Sequence, residues 1–235
     1  MELHLPAPGG ALGRLVAGFD RFRHSHFEAD HELYDQLLEG QRPEVMVIAC
    51  SDSRTDPAII CGARPGELFV IRNVAALVPP PARDGAPHGT ASAIEFGVKA
   101  LGVRHIVVLG HAFCAGVRCL LGHDHGAAQF DYVSDWVGVA GEVRAEMDGL
   151  VTEADRSLVA RRGEQAAVLT SLRHLAAYPF VADRVAAGQL ALHGWYFHLG
   201  WGVLQAAEGP CGPFRQLDAG EAPRPAIGHV AEPVA

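Results

Sequence analysis

Val45-Met46-Val47-Ile48-Ala49 is a short, unbroken apolar run, and it ends in Cys50-Ser51-Asp52-Ser53-Arg54. Two more runs share its character: Leu68-Phe69-Val70-Ile71 and His105-Ile106-Val107-Val108-Leu109. Such continuous runs, rich in β-branched residues, suit strands covered on both faces, as in a parallel sheet. Between the second and third runs, Thr90 to Leu101 is patterned as a helix that Thr90 could cap. Strands alternating with helices predict an α/β fold with a mostly parallel central β-sheet flanked by helices.

Outward from this centre, Leu12, Leu15, Val16, Phe19 and Phe22 recur at helical spacing, which predicts an amphipathic helix over 11–23. A second helix is expected over 30–39, stopping near Gly40. Residues 1–40 thus read as an N-terminal helical arm and 41–218 as the α/β domain. Within that domain, 128–188 are expected to be helical with a break at Pro179. Leu190 to Phe197 should form a late strand, and Gly202 to Gln205 another. From Ala219 onward, Pro, Gly and Ala dominate, and 219–235 are expected to fray as a flexible tail.

Bulk properties exclude several classes. The chain has 235 residues, of which 49% are hydrophobic, enough for a sizeable core. A formal net charge of −8 with no basic block argues against nucleic-acid binding and against an anionic membrane surface. No run approaches the ~18 apolar residues of a membrane-spanning helix. Met1 to Gly10 lack the charged and apolar regions of a signal peptide. The five cysteines are too few and too odd in number for a disulfide framework. A reducing, cytoplasmic setting is therefore expected, in which spaced Cys and His serve as metal ligands.

The ligand candidates are Cys50, His111 and Cys114. Cys50 closes the first apolar run, His111 lies just past the third, and Cys114 stands at the expected start of a helix. Functional groups collect beyond the carboxyl ends of the strands in open α/β sheets, so parallel strands would bring all three to one edge. Two Cys and one His suit Zn²⁺, and three protein ligands leave a fourth position open, the catalytic arrangement. The helix N-terminus should also lower the Cys114 thiol pKa. Asp52 and Arg54 follow Cys50 at short range, and a guanidinium can hold a carboxylate in a bidentate fork. The alternative is that Ser51, Asp52 and Ser53 merely cap the following helix.

Cys50-Ser51-Asp52-Ser53-Arg54 followed by Gly110-His111-Ala112-Phe113-Cys114 resembles the signature of β-class carbonic anhydrases. Pro65 to Ala75, Ser92-Ala93-Ile94-Glu95-Phe96, Tyr178-Pro179-Phe180-Val181 and Leu192-His193-Gly194-Trp195-Tyr196 resemble further segments of that family, in the right order, over roughly residues 11–218. The resemblance implies reversible hydration of carbon dioxide to bicarbonate and a proton by a zinc-bound hydroxide. It implies Cys50, His111 and Cys114 as zinc ligands and Asp52 with Arg54 as the catalytic pair. It implies Gln41 as an amide bonding substrate or product, and Phe69, Val74 and Phe96 as lining the carbon dioxide pocket. Ala115 stands where the family usually has Gly, near the substrate. Phe96 replaces a frequent Tyr, Ala76 a common Asn, and Val47 the Trp of a bicarbonate-inhibited subtype. The family forms homodimers with exchanged N-terminal arms, often paired into homotetramers.

Two other functions fit the same ligands: a carbon disulfide or carbonyl sulfide hydrolase on this scaffold, and a zinc-binding or redox-sensing protein without turnover. His24, His26 and His31 are expected to be solvated or at an interface, and His123-Asp124-His125 to be polar loop. His193 and Trp195-Tyr196-Phe197 are expected to be a packed strand. Cys61, Cys119 and Cys211 have no partner at ligand spacing. No phosphate-binding glycine loop is present.

Overall fold

The structure, a computed structural model, describes residues 9–122, 130–148, 156–218, 220 and 223–230. His123-Asp124-His125 lie outside the described residues. The chain divides into two compact units, Met1–Gln41 and Arg42–Ala235.

The first unit contains α1 (Ala11–Phe22), which runs through a π-helical turn (Arg23–Phe27), and then α2 (His31–Leu38). Asp30 caps α2 by accepting the Leu33 N–H. Tyr34 of α2 packs against Phe22 and Phe27, with ring centroids 6.0 and 4.9 Å away. Leu12, Leu15, Val16 and Phe19 of α1 are each more than half exposed, so the apolar stripe of this helix is largely bare.

The second unit is built on one sheet. Its elements are β1 (Val45–Cys50), α3 (Pro57–Cys61), β2 (Leu68–Asn73), α4 (Gly89–Glu95) with a π-helical extension (Phe96–Leu101), β3 (His105–His111) and α5 (Ala115–Leu120). Then come α6 (Tyr132–Val137), α7 (Gly141–Asp148), α8 (Arg156–Ala176), α9 (Pro179–Ala186), β4 (Gln189–His198), β5 (Val203–Ala207), β6 (Phe214–Gln216) and β7 (Ile227–Val230). The strand order is β2-β1-β3-β4-β5-β6, with β7 also on β4. Strands β2, β1, β3 and β4 are mutually parallel, and β5, β6 and β7 are added antiparallel. Strands β1, β3 and β4 are largely buried apolar runs, as double-sided burial requires, whereas β2 is the edge strand, where only Ile71 is buried and Val70 is exposed.

Helix α8 lies on β3 and β4 at two glycines. A Cβ on Gly110 would strike the Val168 side chain, and one on Gly194 would come within 2.8 Å of Leu172. The absence of side chains there lets the helix approach the sheet closely. Among the described residues, no helix is long and apolar enough to cross a membrane.

Two expectations are corrected, at the C-terminus and at Thr90. The segment expected to fray from Ala219 contributes β7, whose residues Ile227 to Val230 pair with Leu192 to Gln189; the unpaired edge of β4 is what orders it. Among the described residues the region before Pro179 is helical as expected, as α6, α7 and α8, with a 3₁₀ turn at Gly138–Ala140 joining α6 to α7. Thr90 is not the cap of α4, which begins at Gly89 after His88; its hydroxyl instead accepts from Asn73 Nδ2 at 3.3 Å.

Candidate active site

Strand register gathers residues far apart in sequence. Ala49 pairs with Leu109, and Cys50 pairs with Asn73. Cys50 and His111 therefore finish adjacent parallel strands, which lie about 4.8 Å apart. The chain then turns through Ala112 and Phe113 and enters α5, with Cys114 at its N-cap. Phe113 makes the turn with φ of 61°, a left-handed conformation unusual for a bulky residue.

The Cys50, His111 and Cys114 ligand atoms lie within 4.8 Å of one another, and all three residues are buried. The two sulfurs are 3.9 Å apart. Two thiolates on one tetrahedral zinc, each at ~2.3 Å, would lie about 3.8 Å apart. His111 Nδ1 bonds the Ala112 carbonyl at 2.9 Å, which leaves Nε2 as the free ring nitrogen. That Nε2 is buried without a hydrogen-bond partner. A buried orphan nitrogen facing two sulfurs is what a metal would satisfy, so the donor set fits zinc.

The contact with Cys114 draws the Cys50 thiol down to about 4 against its burial. The same contact, with burial added, pushes Cys114 up. The Gly116 and Val117 N–H groups at the helix start pull the Cys114 thiol down, as expected of a helix N-terminus, against the neighbouring sulfur and burial. Burial pulls His111 down, yet the Cys50 sulfur, the Ala112 carbonyl and Asp52 outweigh it and leave its pKa raised.

Asp52 sits beside this cluster, with Oδ2 4.0 Å from His111 Nε2. Arg54 donates to it through Nε at 2.9 Å, a terminal nitrogen at 2.7 Å and its backbone N–H at 3.0 Å. The Arg54 guanidinium holds the carboxyl well below the usual carboxylate range. The capping alternative fails, because Asp56 is the cap of α3, accepting from the Ala58 and Ile59 N–H groups. Asp52 is left free for the site.

Arg72 was not singled out in the sequence, yet it organises this loop. It donates to the Cys50 carbonyl at 2.9 Å, the Asp52 carbonyl at 2.6 Å and the Asp56 carboxylate at 3.1 Å. Its position at the end of β2, opposite Ala49 and one rung from Cys50 across the β1–β2 ladder, was the available signal.

The other expected site residues divide. Val74 borders the cluster: a Cβ on Gly116 would come within 2.7 Å of Val74 Cγ1 and 2.9 Å of Ala75 Cβ. The close approach is thus made at Gly116, whereas Ala115 is exposed. Ala75 and Ala76 both have positive φ, 66° and 54°, and the Asn73 amide spans them by bonding the Leu77 N–H and carbonyl, each at 2.9 Å. Phe69 and Phe96 pack on each other, with ring centroids 6.1 Å apart. Phe69 pairs with Met46, four rungs before Cys50 and so about 13 Å along the strand from it. Within one chain, these two rings are therefore at the wrong end of the sheet to line the Cys50 site. Gln41 ends the other compact unit.

A parallel α/β sheet whose strand ends carry a Cys–His–Cys cluster and a clamped carboxylate defines the class to which comparison also leads. The family model described as carbonic anhydrase matches residues 45–204. A carbonic anhydrase of Synechocystis sp. is 32% identical over 84% of this chain and 72% of its own length. One from Synechococcus elongatus is 36% identical over 83% of this chain and 71% of its own. The solved structure of the β-carbonic anhydrase CcaA superposes with a TM-score of 0.82 at 31% identity, covering 94% of this chain and 96% of that one. The chain belongs to the carbonic anhydrase family of enzymes, and within it to the β class.

Proposed function

We propose that the protein catalyses the reversible hydration of carbon dioxide at a zinc ion held by Cys50, His111 and Cys114. The observation that carries the reading is the orphaned His111 Nε2 facing the Cys50–Cys114 sulfur pair. Bound there, zinc would supply a Lewis acid that lowers the pKa of water and generates a nucleophile near neutral pH.

The chain's own residues do the rest. Asp52 accepts a hydrogen bond from the nucleophilic water and turns its lone pair toward carbon dioxide. Arg54 keeps Asp52 ionised and off the metal position. Val74 supplies an apolar wall beside the site. Gln41, Phe69 and Phe96 complete the substrate pocket only where a second copy brings them to this chain's cluster, so the working form is a homodimer or homotetramer. The solved tetrameric β-carbonic anhydrases of Sordaria macrospora, 27% identical with a TM-score of 0.72, support an oligomer. The described cysteines are all free, which suits a reducing, cytoplasmic compartment. The intact Asp52–Arg54 clamp favours turnover over a silent zinc-binding role.

The test is zinc content together with stopped-flow carbon dioxide hydration, on the wild-type chain, Cys50→Ser and His111→Ala. One zinc per wild-type chain with rapid hydration, and loss of both in the variants, is expected. Full zinc retention in both variants would sink the ligand assignment. Turnover of carbonyl sulfide or carbon disulfide without hydration would move the chain to the other enzyme reading.

A further inference from the structure

Glu164 is a charged residue in the core that none of the chemistry above uses. It lies on α8 in line with Val168, Ser171, Leu172 and Leu175, the stripe that faces the sheet, and it is 5% exposed. Burying a carboxylate is costly unless its oxygens are bonded. Here both are: Oε1 accepts the Cys114 backbone N–H at 3.1 Å, and Oε2 accepts the Tyr196 hydroxyl at 2.6 Å. Tyr196 is itself fully buried on β4.

The segment that Glu164 grips is the turn through Phe113 into Cys114. Phe113 is left-handed there, at φ 61°, a conformation that costs about 1–3 kcal/mol and persists only where the surroundings enforce it. On the outer side the exposed Phe113 ring meets His198 edge-on, with ring centroids 5.9 Å apart. A cavity of about 400 Å³, lined by Phe113, Arg161, Glu164, Tyr196, His198 and Trp201 among others, flanks the turn. The turn has two outputs. It places the Cys114 sulfur 3.9 Å from that of Cys50, and it aims the Phe113 carbonyl at Arg54, 3.3 Å away.

We infer that Glu164 is a positioning residue of the metal site: its carboxylate, braced by Tyr196, holds the strained Phe113–Cys114 turn so that the Cys114 sulfur and the Arg54 clamp are set together. The inference rests on the reading of Cys50, His111 and Cys114 as a zinc site. It assigns Glu164 no contact with metal or substrate. The close seating of α8 at Gly110 and Gly194 is what brings the carboxylate within reach.

The experiment compares wild type with Glu164→Ala, Glu164→Gln and Tyr196→Phe. Zinc affinity is measured against a chelator, the cobalt-substituted chains are examined by absorption spectroscopy, and kcat and KM are measured separately. Glu164→Ala should bind zinc about 10–100-fold more weakly, the range usual for partners of metal ligands. Its cobalt thiolate bands should shift, and kcat should fall more than KM rises. Glu164→Gln keeps an acceptor for the Cys114 N–H and should recover most of the affinity and the spectrum. Tyr196→Phe should fall between them. An Ala variant with wild-type affinity and cobalt spectrum overturns the inference, as does a Gln variant as impaired as Ala. If Glu164→Ala does not fold, an unchanged spectrum and affinity in Tyr196→Phe overturns it instead. Failure of the wild-type chain to take up one zinc or cobalt would refute the metal site itself, a result separable from all of these.

Discussion

Arg54 holds both carboxylate oxygens of Asp52, at 2.9 and 2.7 Å, and the nitrogen making the shorter bond also reaches the Phe113 carbonyl. One guanidinium thus ties the loop after β1 to the turn after β3, the two segments that carry the cluster. Asp52 Oδ2 is held 4.0 Å from His111 Nε2; under the proposed zinc reading, that distance would let it act on a bound water while Arg54 restrains it from replacing that water.

Asp52 and Arg54 are therefore expected to behave as a unit. Arg54→Ala frees a carboxylate to compete for the metal, and Asp52→Ala leaves the nucleophile poorly aimed. Each should lose activity on the order of 10²–10³-fold, as for other preorganised catalytic groups. The double variant should be little worse than the poorer single one, and zinc content should survive in all three. Multiplicative losses in the double variant, or near-normal hydration by Asp52→Ala, would contradict this.

His193 should make stability depend on pH. It is buried on β4, its Nε2 lies 3.1 Å from His105 Nδ1, and its own Nδ1 has no partner. Burial, aided by His105, lowers its pKa from 6.5 to about 4. The unfolded chain then binds a proton that the folded chain refuses. The stability is fully present above pH 6.5 and is lost as pH falls toward 4, by about 3 kcal/mol in total. Denaturant unfolding of the metal-free protein at pH 7 and pH 5 measures this, with His193→Gln as the variant that should flatten the difference. An equal pH dependence in His193→Gln would assign it to other groups.

The bare stripe of α1 predicts assembly. Leu12, Leu15, Val16 and Phe19 need a surface to bury against. The full-length chain should be a dimer or larger, and deleting residues 1–25 should yield monomers or aggregates. Light scattering at micromolar concentration decides, and a stable full-length monomer would refute the expectation. If Phe69 and Phe96 line the carbon dioxide pocket, as proposed, their separation from Cys50 within one chain makes the same demand from the side of the site.

Local pattern was enough for much of this protein. The apolar runs at 45–49 and 105–109 announced buried parallel strands, because double-sided burial leaves a mark in residue type alone, while the run at 68–71 became a part-exposed parallel edge strand. The ligand candidates followed from the rule that parallel strands deliver their ends to one edge. Asp52 and Arg54 were legible because a two-residue spacing leaves little freedom. Three-dimensional contact decided the rest. Strand β7 exists because β4 offers an unpaired edge, and Pro and Gly content cannot report that. The pairing of the Cys50 and Cys114 sulfurs is a contact across 64 residues of sequence. Glu164 left one faint mark, a charge on an otherwise uncharged helical stripe. Its partners, however, come from α5 and β4, and only the packing of α8 on the sheet brings them to it. Burial and periodicity are written residue by residue, whereas hydrogen bonds between elements depend on register and close approach, which no local stretch encodes.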